Sequence, residues 1–229
     1  MVRRASGFGS VNTTLSMKPV LNSLKGGAAV ALFLFAVSFV SVFSFSSVYA
    51  QCPDDTYGIS PSVSTYPWTS ASYTITIPGT TCQIEIDYCW RDVPGATRQV
   101  WVYQIIPLSS DCDPISPTDL INWGQQLVFN DPTINGDVPC SKNLYRVVSV
   151  FRPICWNLGG TSITGRPEFV QCFGSPNWCK ITCSVCVDID LTVHKSNCTG
   201  TSYTSESCGT TPPPSWEQGV CYTVGCIEP

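Results

Sequence analysis

The sequence holds one histidine, His194, two methionines, and a charged fraction of only 12%, where about a quarter is usual for soluble domains. A single histidine excludes a three-histidine metal centre and the paired imidazoles of an HExxH site. A Ser-His-Asp or Cys-His site would have to use His194, and no G-x-S-x-G elbow accompanies it. An exposed position at a strand end, beside Lys195, is the expectation for that residue. The first fifty residues lack both cysteine and acidic side chains. They also hold four of the twelve bases, Arg3, Arg4, Lys18 and Lys25, which leaves eight bases against sixteen acids in the remainder, a net charge of −8. Such a chain repels a phosphate backbone, so no nucleic-acid partner is expected. An anionic membrane surface is disfavoured for the same reason.

What is present divides at residue 50. A basic leader runs to Lys25, and the uncharged segment from Gly26 to Ala50 follows, densest in apolar residues between Ala28 and Phe43. That is the layout of a signal peptide, here residues 1–50, with a small residue, Ala50, at the cut and Gln51 starting the mature chain. Kept uncleaved, the same segment is long enough to anchor the chain in a bilayer, the one membrane association the sequence permits. The serine-rich end of the segment favours cleavage. Tyr49-Ala50-Gln51 is a poor match to a lipidation site on Cys52, and Arg3-Arg4 lies too far from the apolar run for a twin-arginine signal. Residues 51–229 read as a single secreted cysteine-rich β domain, placed outside the cell, in a periplasm or on the cell surface.

The fourteen cysteines are Cys52, Cys82, Cys89, Cys112, Cys140, Cys155, Cys172, Cys179, Cys183, Cys186, Cys198, Cys208, Cys221 and Cys226. Their density is close to that of disulfide scaffolds, and their even number permits complete pairing after export. Spacing leaves the connectivity open. Four of them crowd into CFGSPNWCKITCSVC, Cys172 to Cys186. Cys183-Ser184-Val185-Cys186 has CxxC spacing, but a redox site needs its first cysteine at a helix N-terminus, and here a β pattern follows directly and twelve other cysteines surround the pair. The four thiols could hold zinc, yet their spacing is not that of paired CxxC ligands. Structural bridges are the expectation.

Alternation and turn chemistry predict about six strands and one short helix. Ser72 to Ile77 and Cys82 to Trp90 alternate across a Pro78-Gly79 turn, as a hairpin. Arg98 to Ile106 is apolar on both faces, as a covered central strand is. Ser116 to Phe129 is the helix. Ser116 fits its N-cap, Pro117 its first position, and Leu120, Trp123, Leu127 and Val128 its apolar stripe, with Gly124 a weakness. Leu144 to Ile154, Val187 to Val193 and Val220 to Val224 complete the strands. Residues 159–167 and 195–209 read as loop, and Thr211 to Pro214 as a polyproline spacer. The fold class is mainly β, with α+β as the alternative: an antiparallel sheet or sandwich, disulfide-stapled, with the helix as a crossover on one side.

Glu85 with Asp87, and Asp188 with Asp190, form pairs that share a strand face. Paired carboxylates can bind calcium or act as acid and base, but the solvated face of a half-buried strand is the simpler account of each. Of seven tryptophans, Trp68 and Trp216 fall in loops, where aromatic rings serve binding surfaces. They are the candidate binding residues. Asn197-Cys198-Thr199 matches a glycosylation sequon. No catalytic residue, metal or cofactor is expected. The resulting expectation is a secreted, disulfide-rich, non-catalytic module with a binding or structural role at the cell surface, towards a glycan or protein partner. The alternatives are an extracellular hydrolase working through carboxylates and a secreted inhibitor or effector.

Overall fold

A computed structural model describes residues 52–95, 97–136, 138–142, 144–162, 165–172, 177–204, 211–212 and 216–228. Residues 1–50, read from the sequence as a signal peptide, Cys208 and most of the proline run lie outside the described residues. The fold is a nine-stranded mixed sheet. Its strands are β1 (Thr69–Thr76), β2 (Gln83–Val93), β3 (Thr97–Pro107), β4 (Arg146–Pro153), β5 (Cys155–Thr161), β6 (Pro167–Gln171), β7 (Trp178–Val187), β8 (Val193–Tyr203) and β9 (Cys221–Thr223). One helix of eleven residues, α1 (Pro117–Leu127), stands between β3 and β4, followed after a 3-10 turn by a single helical turn at Pro132–Asn135. No helix among the described residues is long and apolar enough to cross a membrane.

β3 is the trunk of the sheet. β2 runs antiparallel along one edge of it, with β1 outside β2. The other edge carries two strands end to end: Thr97–Trp101 pair in parallel with β4, and Gln104–Ile105 pair antiparallel with β6. One branch continues β4–β7–β8 and the other β6–β5–β9. Parallel neighbours need a long crossover, and α1 supplies it between β3 and β4. The side-chain oxygen of Ser116 accepts from the Asp119 N–H at 3.1 Å, and Pro117 sits in the first turn. Helix start and cap therefore fall where the sequence places them.

Alternation puts two apolar layers on opposite faces of β3. Val100 and Val102 join the larger core under α1, with Ile84, Ile86, Tyr88, Leu120, Ile121, Val148 and Val150. Between them Trp101 points the other way, into a smaller cluster with Tyr57, Ile59, Cys89 and Phe151. The N-terminal arm, residues 52–68, covers that second face. Arg152 is fully buried and has no carboxylate partner among the described residues. It donates to Gln125 Oε1 (2.9 Å), Asn122 Oδ1 (2.7 Å) and the Pro153, Val224 and Gly225 carbonyls. Burial pushes its guanidinium down to about 9, so it stays charged at neutral pH and joins α1, β4 and the C-terminal tail.

Six bridges lie within the described residues: Cys52–Cys89, Cys82–Cys112, Cys140–Cys186, Cys172–Cys221, Cys179–Cys226 and Cys183–Cys198. Cys155 is also disulfide-bonded, and no described cysteine is free. The four cysteines between Cys172 and Cys186 go to four different partners, so the CxxC is neither a redox pair nor part of a zinc site.

The structure corrects the sequence reading at four places. There are nine strands and not six: β5 and β6 flank and enter the segment read as loop around residues 159–167, and β7 runs through the cysteine stretch, where no strand is expected from the sequence. β8 likewise runs through the polar residues after Lys195. The alternating segment Val187 to Val193 is not a strand. β7 ends at Val187, β8 begins at Val193, and the residues between form the turn that joins them. Ile189 and Leu191, which alternation assigns to the core, are 103% and 78% exposed.

Candidate functional site

The β7–β8 turn is held by local bonds that its sequence provides. The Asp188 N–H donates to the Thr192 carbonyl (2.9 Å) and the Leu191 N–H to the Asp188 carbonyl (3.0 Å). Asp190 Oδ1 accepts from the Thr192 N–H at 3.1 Å, an Asx-type contact that favours a turn over a ladder. Leu191 adopts φ +66°, a left-handed conformation that a branched side chain rarely takes. Across the base, His194 Nε2 and Asp188 Oδ2 lie 2.5 Å apart. The turn is thus braced while presenting two aliphatic side chains to solvent. Beneath it opens a groove of about 320 Å³, walled by Pro132, Val138, Pro139, Val187, Leu191 and Val193. Cys140–Cys186 and Cys183–Cys198 pin the strands and turn that frame this groove.

A second cluster lies on the face of the sheet covered in part by the N-terminal arm. Glu85 and Asp87 of β2 share that face with Gln104, which donates to Glu168 Oε2 at 2.9 Å. All three acids are half-buried. Burial, and then the Glu85 and Glu168 carboxylates, push the Asp87 carboxyl from 3.8 up to about 7. Burial and Glu85 raise Glu168 in the same sense. Burial and Asp87 push the Tyr103 hydroxyl up to about 12. The face thus keeps a proton near neutrality, and the solvated reading of Glu85 and Asp87 gives way to a half-buried one. No group of three or more His, Cys, Asp or Glu side chains among the described residues has metal-holding geometry.

Asp188 and Asp190 do not share a strand face, because both belong to the turn. They are some distance in the fold's plan from Glu85 and Asp87, at the opposite branch from β6. His194 is exposed, as its strand-end position suggests, and the hydrogen bond of its ring ends on Asp188.

The two candidate binding tryptophans fall in different clusters. Trp68 is half-buried in the smaller one, with the Arg91 guanidinium 4.2 Å above its ring. Trp216 is only 9% exposed and packs against Phe169 (centroids 5.5 Å apart) and Tyr222 (4.9 Å). It also forms one wall of a cavity of about 270 Å³ with Leu120, Leu158, Arg166 and Phe169. Neither ring lies flat and open on the surface. Ile189 and Leu191 are what sequence reasoning missed. The available signal was the Asp188-x-Asp190-x-Thr192 run, whose side chains compete with a ladder for backbone bonds.

No protein-family model matches the chain, and no curated protein or solved structure matches it either.

Proposed function

We propose that the chain is an exported, non-catalytic binding module, cut after Ala50, that engages a protein partner through the β7–β8 turn and the groove beneath it. The observation that carries this reading is the exposure of Ile189 and Leu191 on a braced turn beside an apolar groove. Adjoining exposed apolar surface rimmed by polar residues marks docking surfaces, and Leu191 joins the turn to the groove wall. A protein partner suits these two side chains better than a glycan, since sugar faces stack on open aromatic rings, and neither Ile189 nor Leu191 offers one. The dense bridging fits an oxidising compartment.

Binding of labelled full-length secreted protein to intact source cells, and to proteins extracted from their surface, tests this. Saturable binding should weaken on the order of a hundredfold in I189D/L191D. Each aliphatic side chain contributes roughly 1.5–3 kcal/mol when buried, and 1.4 kcal/mol is tenfold in affinity. Both side chains are solvent-exposed, so thermal stability should hold. Binding that the double variant leaves intact would count against the reading.

One observation favours a second reading, an extracellular hydrolase. Asp87 retains a proton near pH 7 beside Glu85 and Glu168, as a general acid requires. Turnover of any substrate that D87N abolishes while E85Q and E168Q alter it would replace the binding module with that enzyme.

A further inference from the structure

We infer that Asn197 is the acceptor of an N-linked glycan that covers the free edge of β8. This rests on the export reading above. Asn197-Cys198-Thr199 supplies the sequon, and the structure places it where an acceptor must be. Asn197 and Thr199 are both exposed. No hydrogen bond engages the Asn197 amide among the described residues, so its Nδ2 is open to reaction.

The backbone there is also unusual for a strand. Thr182 faces Thr199 and Ser184 faces Ser196, so Asn197 and Cys198 together oppose Cys183 in a bulge. Asn197 takes φ +51°, a conformation asparagine tolerates better than most side chains. The sequon therefore sits on an outward kink and not in a flat ladder. Among the described residues β8 pairs with β7 alone. An eleven-residue strand with one open edge is a template for pairing with other chains, and proteins protect such edges. A bulky polar group at Asn197 does that in addition to the bulge.

The reaction joins Asn197 Nδ2 to the anomeric carbon of an oligosaccharide. The bond broken is that between the anomeric carbon and the diphosphate of a lipid-linked donor. The lipid diphosphate leaves, and one amide proton is lost.

The test is expression of the full chain, residues 1–229, in a eukaryotic secretory cell, with mass measurement of the medium and of the endoplasmic reticulum lumen. Wild type should carry hexose and N-acetylhexosamine mass. An amidase that releases N-linked glycans should remove it and leave aspartate at position 197. Peptide mapping separates this site from Asn12-Thr13-Thr14, the chain's other match. N197Q and T199A should both appear at bare polypeptide mass, while T199S stays modified. T199A keeps Asn197 and its left-handed backbone, so it reads modification even where N197Q disturbs the bulge. Unmodified variants should self-associate at lower concentration than wild type. Wild type secreted at bare polypeptide mass overturns this inference alone. A chain that never enters the lumen overturns the export reading and this inference with it.

Discussion

At Asp87 two costs fall on one carboxylate. It is half-buried, and Glu85 and Glu168 face it, so the folded chain holds a proton there that the unfolded chain releases at 3.8. A raised carboxyl group binds more protons folded than unfolded. Its contribution to stability is therefore intact at low pH and lost as pH rises from about 4 through about 7. D87N, neutral throughout, should flatten that fall and raise stability at pH 7 by about 1–2 kcal/mol after solvent screening. Denaturant titrations of both proteins at several pH values check it, and parallel pH profiles would contradict it. Nothing in the sequence announced this group. Glu85 and Asp87 were legible as neighbours on one face of β2, but Glu168 comes from a strand that the sequence did not mark. Arg152 was equally illegible. Its five acceptors come from three separate segments, and three of them are backbone carbonyls that any residue could supply.

α1 shows an element read correctly and one of its residues misread. Its cap, first-turn proline and apolar stripe are local chemistry, and all three hold in the structure. Gly124, a weakness by helix propensity, lies hard against the sheet. A Cβ added there would lie 2.1 Å from Ile105 Cδ1 of β3. G124A should gain about 1 kcal/mol of propensity yet lose more to overpacking, for a net destabilisation of about 1–2 kcal/mol. I105V/G124A should recover most of that loss, because the valine lacks the clashing methyl. Urea melts of the two single variants and the double variant would show the coupling, and additive effects would disprove the contact. Strands differed in legibility by how much of their pattern was local. β1, β2 and β3 alternate or run apolar, and the turns between them carry Pro-Gly. β5 contains Asn157 and a Gly159-Gly160 pair, and β6 begins on Pro167, so their stability comes from pairing with each other and with β3 and β9. The stretch from Val187 to Val193 failed the opposite way: a clean alternation belonged to a turn, since Asx bonding and the pairing of β7 with β8 outweighed periodicity.

At the scale of the molecule, cysteine content made the bridging legible but not its pattern, which depends on strand order. Intact mass after alkylation in unfolding buffer, with and without reduction, should show no modified thiol in the unreduced chain. Two or more alkylated cysteines between Cys172 and Cys186 would reopen the metal and redox readings of that stretch. The described bridges also sort into two groups along the chain. Cys52–Cys89 and Cys82–Cys112 close among the first four cysteines, and no described bridge joins those four to a later one. For a polypeptide threaded amino end first into an oxidising lumen, this partition acts as a timetable. The first two links can form once residue 112 has crossed. Cys172 and Cys179 must wait, unpaired, for Cys221 and Cys226 to be translated. Under such threading, a chain released early by the ribosome would carry open thiols as the mark of its incompleteness.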